Sequence, residues 1–215
     1  RRGLACVALR LSISAPLYYY VDHALKATIH EYGHFRAYSR MGMTNFVMVR
    51  NADGKEEHAT PWGVFELALR MYADGKALGK EYSASVSTGQ WDKWNKTFSR
   101  EPFSSHFVES MLVLFSSGVN QTQYTAERMA SAMKKGTAHP LDGIMYANLF
   151  KDTFAYGSDP AGDLVRYTEL LRIRGLKTSF YEISTEAQMP KFLSGSFLAF
   201  VYEGFQWVAT GDEEV

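Results

Sequence analysis

Apolar positions along the chain fall into helical and strand-like runs separated by turn signals. Residues 4–42 read as mostly helical, with Pro16 as an expected break or kink, Ser12 or Ser14 as a cap near it, and Gly42 as the stop after Arg40. Phe46, Val47 and Val49, followed by Asn51-Ala52-Asp53-Gly54, predict a strand entering a hairpin. Pro61 opens a helix through Asp74. Periodicity then weakens between 75 and 104, where only Trp91, Trp94 and Phe98 keep helix spacing, so 51–104 reads as an insertion within a single domain of residues 1–215. Its aromatics are expected to pack onto the domain, with covering the site or binding a partner as the alternatives. Apolar residues return at Phe107–Phe115, and a small, amide-rich stretch at Ser116–Tyr124 leads into a helix ending near Lys135 and Gly136. Further helices are expected at Ile144–Phe150, at Leu164–Arg174 with Asp163 as N-cap, and at Phe192–Ala209. The predicted class is mainly α with a small β-hairpin.

Inside the first helix lies His30-Glu31-Tyr32-Gly33-His34. Residues four apart on a helix stand one above the other on one face. His30 and His34 can therefore offer two imidazole nitrogens to one ion, while Glu31 lies at the edge of that face, within reach of a water the ion holds. Ala24, Leu25, Ala27, Ile29, Phe35 and Ala37 surround the motif, so the imidazoles are expected to face inwards. Two stacked rings in an interior need partners, and a shared metal satisfies both. His23, seven residues before His30, is expected to find an ordinary hydrogen bond.

Composition narrows the classes. Hydrophobic residues make up 46% and aromatics 14%, enough for a substantial core. The charges balance, 23 basic against 23 acidic, which gives no general nucleic-acid surface and no polybasic membrane patch. The single cysteine, Cys6, excludes an internal disulfide and reads as a small apolar core residue. No stretch reaches the roughly 18 uncharged apolar residues of a membrane span. A mean hydropathy of -0.22 points to a water-soluble or peripheral protein, with membrane or cell-envelope association left open.

A catalytic zinc takes three protein ligands and keeps one open position, so a third donor must come from elsewhere. The residues leave Asp142, Glu109, Glu127, Glu203 and His106 as candidates. Glu109 lies on an apolar helix face, and Asp142 sits in the turn His139-Pro140-Leu141-Asp142-Gly143, where a short carboxylate is held stiffly. His139 could instead supply the ligand, although Pro140 directs its backbone away from the helix.

The order of these pieces resembles the site-2 protease family of zinc metalloproteases. The His-Glu-x-Gly-His helix followed by Ala37 and Gly42, the strand at Phe46–Val49, Gly118-Val119-Asn120 and Pro140-Leu141-Asp142-Gly143 carry the likeness, over residues 20–50 and 115–150. The resemblance implies a helical zincin-like domain with zinc held by His30, His34 and Asp142. It also implies Glu31 as general base and Asn120 positioning the substrate backbone or oxyanion. The chain departs from the family in polarity. Gln121, Thr122, Gln123 and Ala126-Glu127-Arg128 are too polar for a lipid-facing helix, so the family's substrate type does not carry over.

The chemistry implied is zinc-dependent hydrolysis of peptide bonds in a polypeptide substrate. Zn2+ lowers the pKa of a bound water to about 7, and Glu31 takes its proton and passes it to the leaving amine. Two other classes compete. One is a non-catalytic zinc-binding scaffold or subunit of a larger assembly, suggested by the aromatics near Trp91, Trp94 and Phe103. The other is a helical binding module in which the motif is accidental. An intact Glu31 favours the enzyme, because a structural zinc needs no base.

Overall fold

The computed structural model describes residues 4–98, 105–137, 142–150 and 162–192, with short pieces at 194–195, 197–199 and 201–202. The chain is mainly α with one small antiparallel sheet. Its spine is α1 (Leu4–Arg40), a helix of 37 residues. Of the break or kink expected at Pro16, the break does not occur, and α1 begins before Ser12 and Ser14, so neither caps it. Proline removes one rung of the hydrogen-bond ladder, and the turns on either side keep a long helix continuous. The stop at Gly42 is where the sequence puts it. Gly42 has φ +79°, its N–H reaches Ser39 O and the Met43 N–H reaches Tyr38 O, both at 3.0 Å. Glycine adopts that left-handed end without a Cβ clash.

The chain then turns into the sheet. β1 (Phe46–Arg50) and β2 (Glu56–His58) form the expected hairpin across Asn51–Gly54. A third strand, β3 (Tyr82–Val86), pairs with the other side of β1, giving the order β2-β1-β3. Val47 faces His58 on one side and Ser85 on the other. Between them, α2 (Pro61–Ala73) starts at Thr60, whose hydroxyl accepts the Gly63 N–H, and buries Val64, Leu67 and Ala68. The short α3 (Leu78–Glu81) leads into β3, and α4 (Thr88–Phe98) follows it.

These elements close one apolar cluster around Ala24, Phe35, Tyr38 and Met48, to which the 51–104 segment adds Val64, Leu78, Val86 and Trp94. Trp94 is buried, with Trp91 stacked on it at 5.5 Å and Phe107 at 5.9 Å. The packing onto the domain expected of these aromatics is what Trp94, in the core, and Trp91, half-buried, show, while Phe103 lies outside the described residues.

α5 (Ser105–Lys134) is a single 30-residue helix running through Ser116–Tyr124, where the sequence suggested an interruption. Its small residues serve a crossing. A Cβ on Gly33 of α1 would lie 2.3 Å from the Ser117 carbonyl oxygen, so only glycine lets the two helices approach there. α6 (Asp142–Phe150) packs on α5 through a second cluster that includes Ala126, Met133, Met145 and Leu149. Gln123 donates to the Leu149 and Phe150 carbonyls that end α6. α7 (Asp163–Ile173) lies against α5, and α8 (Phe180–Phe192), which the sequence did not announce, follows it. Of the helix expected at Phe192–Ala209, residues 197–199 and 201–202 are helical and much of the remainder is outside the described residues. Among the described residues no helix is long and apolar enough to cross a membrane.

Asp22 is an acid inside this framework, 3% exposed, with Oδ2 lacking a hydrogen-bond partner. Burial pushes its carboxyl above the usual value, the Asn148 hydrogen bond opposes the rise, and the charge of Asp142 adds to it. The folded state therefore holds this proton more tightly than the unfolded chain. Asp22 stabilises the fold in acid, and that contribution is lost as pH climbs through the raised pKa. Asp22→Asn, which cannot ionise, is expected to flatten the dependence of stability on pH between acid and neutral pH. Thermal melts across that range check this, and an unchanged pH profile contradicts it.

Candidate metal centre

The four-residue spacing on α1 places His30 and His34 on its inner face, 3% and 7% exposed. Their Nε2 atoms stand 3.2 Å apart. Asp163, at the start of α7 and 133 positions beyond His30, brings Oδ2 to 3.1 Å from the first nitrogen and 3.0 Å from the second. Ligand atoms of a tetrahedral zinc with bonds of about 2.0–2.1 Å stand about 3.3 Å apart. The triangle of 3.0, 3.1 and 3.2 Å is one face of such a tetrahedron, slightly contracted. Among the described residues these three form a group able to hold a metal.

Hydrogen bonds around the triangle fix what it presents. His34 Nδ1 lies 3.1 Å from the Leu114 carbonyl oxygen, a pure acceptor, so the ring proton sits on Nδ1 and Nε2 carries a lone pair. Ser117 donates to the same carbonyl at 2.6 Å and stands 3.2 Å from Nδ1, locking the ring from a second side. The Asp163 carboxylate adds another acceptor. Burial works against its ionisation, but the closely placed His30 and His34 outweigh that and hold its carboxyl well below the usual carboxylate range. Acceptors gathered this closely out of water demand a proton or a cation between them.

Two glycines make the space. A Cβ on Gly118 of α5 would stand 2.4 Å from His30 Nε2 and 2.7 Å from His34 Nε2. The backbone of α5 thus passes directly over the two nitrogens, and the absent side chain leaves room beside them. Gly33, between the histidines in sequence, lets α5 come that close.

Glu31 is 6% exposed and its Oε2 accepts the Ala84 N–H from β3 at 3.1 Å. Burial pushes its carboxyl up. His30 and His34 oppose the rise, Asp163 adds to it, and the Ala84 N–H lowers it again. The net effect is a carboxyl above its ordinary value, held by the sheet next to the triad.

The structure brings together His30, His34 and Glu31 as the motif predicts, and corrects the third donor. Asp142 opens α6 half-buried, outside the group formed by His30, His34 and Asp163, and its charge bears on Asp22. Asp163, expected to be an N-cap, occupies the first turn of α7 after Gly162 has taken the cap position. That frees its carboxylate for the histidines. Glu109 is exposed and paired with Arg174, and Glu127 and His106 are exposed. Glu203 and His139 lie outside the described residues. Asn120 is exposed, two positions beyond Gly118 and so about 200° around α5 from the face that meets the histidines. That placement gives no support to the oxyanion role. His23 finds the ordinary hydrogen bond expected of it, donating from Nδ1 to the Tyr19 carbonyl at 2.7 Å.

Comparison with protein-family models, curated proteins and solved structures found no match to the chain. The site is therefore read from its own geometry. Asp163→Asn and Gly118→Ala are each expected to weaken zinc binding by on the order of 100-fold, the first by removing a donor and the second by crowding two. Asp142→Asn is expected to leave it within twofold. Titration against a competing chelator measures all three, and native affinity in Asp163→Asn contradicts the donor assignment.

Proposed function

We propose that this chain is a zinc-dependent peptidase that uses Glu31 as general base. The observation that carries the reading is the closure of three donor atoms within 3.2 Å of one another beside a fourth, non-liganding carboxyl. Two imidazoles and a carboxylate also suit a non-haem iron site. Glu31 favours hydrolysis, since an oxygen-activating iron has no need of a buried base next to it.

When bound, zinc supplies Lewis acidity that makes hydroxide available near neutral pH. His30, His34 and Asp163 hold the ion, and the Leu114 carbonyl keeps His34 in the tautomer that binds. Glu31 takes the proton of the attacking water, and its raised pKa makes it a better acceptor than an exposed carboxylate. It then delivers that proton to the departing amine, while the Ala84 N–H keeps its second oxygen in place.

The sheet favours a polypeptide as substrate. β3 is the outer strand of the sheet among the described residues, and Ala84 directs its N–H away from β1 towards Glu31. Tyr82 and Val86 alternate onto the same edge. An extended peptide laid along that edge would bring its backbone past the base.

Glu31→Gln is expected to retain one zinc per chain and to lose about 10³-fold in the cleavage of unfolded casein. Turnover at the native rate in that variant contradicts the base assignment. Cleavage that survives chelation contradicts the metal.

A further inference from the structure

We propose that Tyr38 is a catalytic residue whose phenol hydroxyl donates a hydrogen bond to the oxyanion formed on the scissile carbonyl. The role rests on the hydrolase reading above. Tyr38 follows His34 by four positions, so His30, His34 and Tyr38 form one stripe along α1. Helical side chains lean towards the N-terminus and cover the turn before their own Cα. The phenol of Tyr38 accordingly reaches back over the turn that carries His34.

Its setting fixes it there. Tyr38 is 6% exposed, and its ring meets Trp91 edge-on at 6.3 Å and 88°. Its hydroxyl shares a hydrogen bond with the Ser85 side chain on β3, the residue after the one that holds Glu31. The carboxylates of Asp163 and Glu31 both act on the phenol, so it belongs to the same electrostatic neighbourhood as the triad. Burial first, then those two charges, push the phenol up to about 12, against the Ser85 hydrogen bond. It keeps its proton at any pH at which the base works.

The need for such a donor comes from the other groups. Glu31, Asp163 and the His34 Nε2 atom offer lone pairs, and the Nδ1 proton of His34 is committed to the Leu114 carbonyl. Asn120, the donor suggested by the sequence, faces elsewhere. In the reaction, the water oxygen bonds to the carbonyl carbon, the carbonyl π pair moves onto its oxygen, and Glu31 takes the water proton. Then the oxygen's pair re-forms the C=O bond as the C–N bond breaks, the C–N electron pair leaves with nitrogen, and Glu31 returns the proton to it. Tyr38 stays protonated throughout and hydrogen-bonds the oxygen while it carries charge.

The test compares Tyr38→Phe, which keeps the ring against Trp91 and removes one oxygen, with the native zinc-loaded chain. N-phosphorylated leucyl-alaninamide serves as a tetrahedral oxyanion probe and unfolded casein as substrate. The expected result is about 100-fold weaker probe binding and about 100-fold lower kcat, with KM and zinc stoichiometry unchanged. Ser85→Ala, which releases the hydroxyl without touching the ring, is expected to lower kcat about tenfold, and it carries the test if Tyr38→Phe melts early. Native kcat and probe affinity in Tyr38→Phe, alongside an inactive Glu31→Gln, overturn the donor role and leave the hydrolase reading standing. Should the native chain itself fail to cleave casein, the hydrolase reading falls. Probe binding then decides the Tyr38 contact alone: loss in Tyr38→Phe supports it, and equal affinity overturns it.

Discussion

Acceptors facing one another in a dry space repel unless something positive lies between them, and the interior of this protein is arranged around that requirement. Two imidazole nitrogens and a carboxylate oxygen converge to within 3.2 Å, and the bonds around His34 hold its Nε2 to acceptor duty. The Leu114 carbonyl and Ser117 hold the proton of His34 on the far side of its ring. A proton bridges one pair of such atoms, whereas a divalent ion satisfies all three at once. The pairing is costly to assemble and useful only if filled.

The scaffold is shaped by what brings those atoms together. α1 supplies two donors by its own periodicity, so one helix settles the first edge of the triangle. α5 must then pass close enough to hold His34 without filling the space beside the nitrogens. Glycine at both 33 and 118 meets that demand. A mid-helix glycine costs about 1 kcal/mol of helix propensity, which the close crossing offsets with packing on either side. The two apolar clusters flank this crossing, one built from α1, α2, α4 and the sheet, the other from α5 and α6. The sheet, small as it is, contributes the Ala84 N–H that orients Glu31. The triad and Glu31 thus sit where helix bundle and sheet meet.

The sequence made legible those parts whose information is local. His30 and His34 declare themselves because a four-residue repeat has one meaning on a helix, and Glu31 comes with them. The hairpin at Asn51–Gly54 and the stop at Gly42 follow from backbone conformations that few residues accept. Asp163 was hidden because a helix-opening aspartate after a glycine-rich turn reads equally well as a cap. The clue available was Gly162, which can take the cap position itself and leave the next carboxylate idle. Asp142 misled by lying in a Leu-Asp-Gly turn whose sequence matched a ligand motif, while the fold set it beside Asp22. The continuity of α5 through Ser116–Tyr124 was hidden for a related reason. Small and polar residues usually interrupt a helix, and here they are the surface on which α1 lies. β3 was missed because Tyr82-Ser83-Ala84-Ser85-Val86 is short and gains its identity from β1, not from its own pattern.

X-ray absorption at the zinc edge of the loaded protein tests the central claim most directly. The geometry predicts light-atom neighbours alone at about 2.0–2.1 Å, with the outer scattering of two imidazoles and one oxygen neighbour that disappears in Asp163→Ala. A spectrum with three or more imidazoles, with sulfur, or with no change in that variant would contradict it.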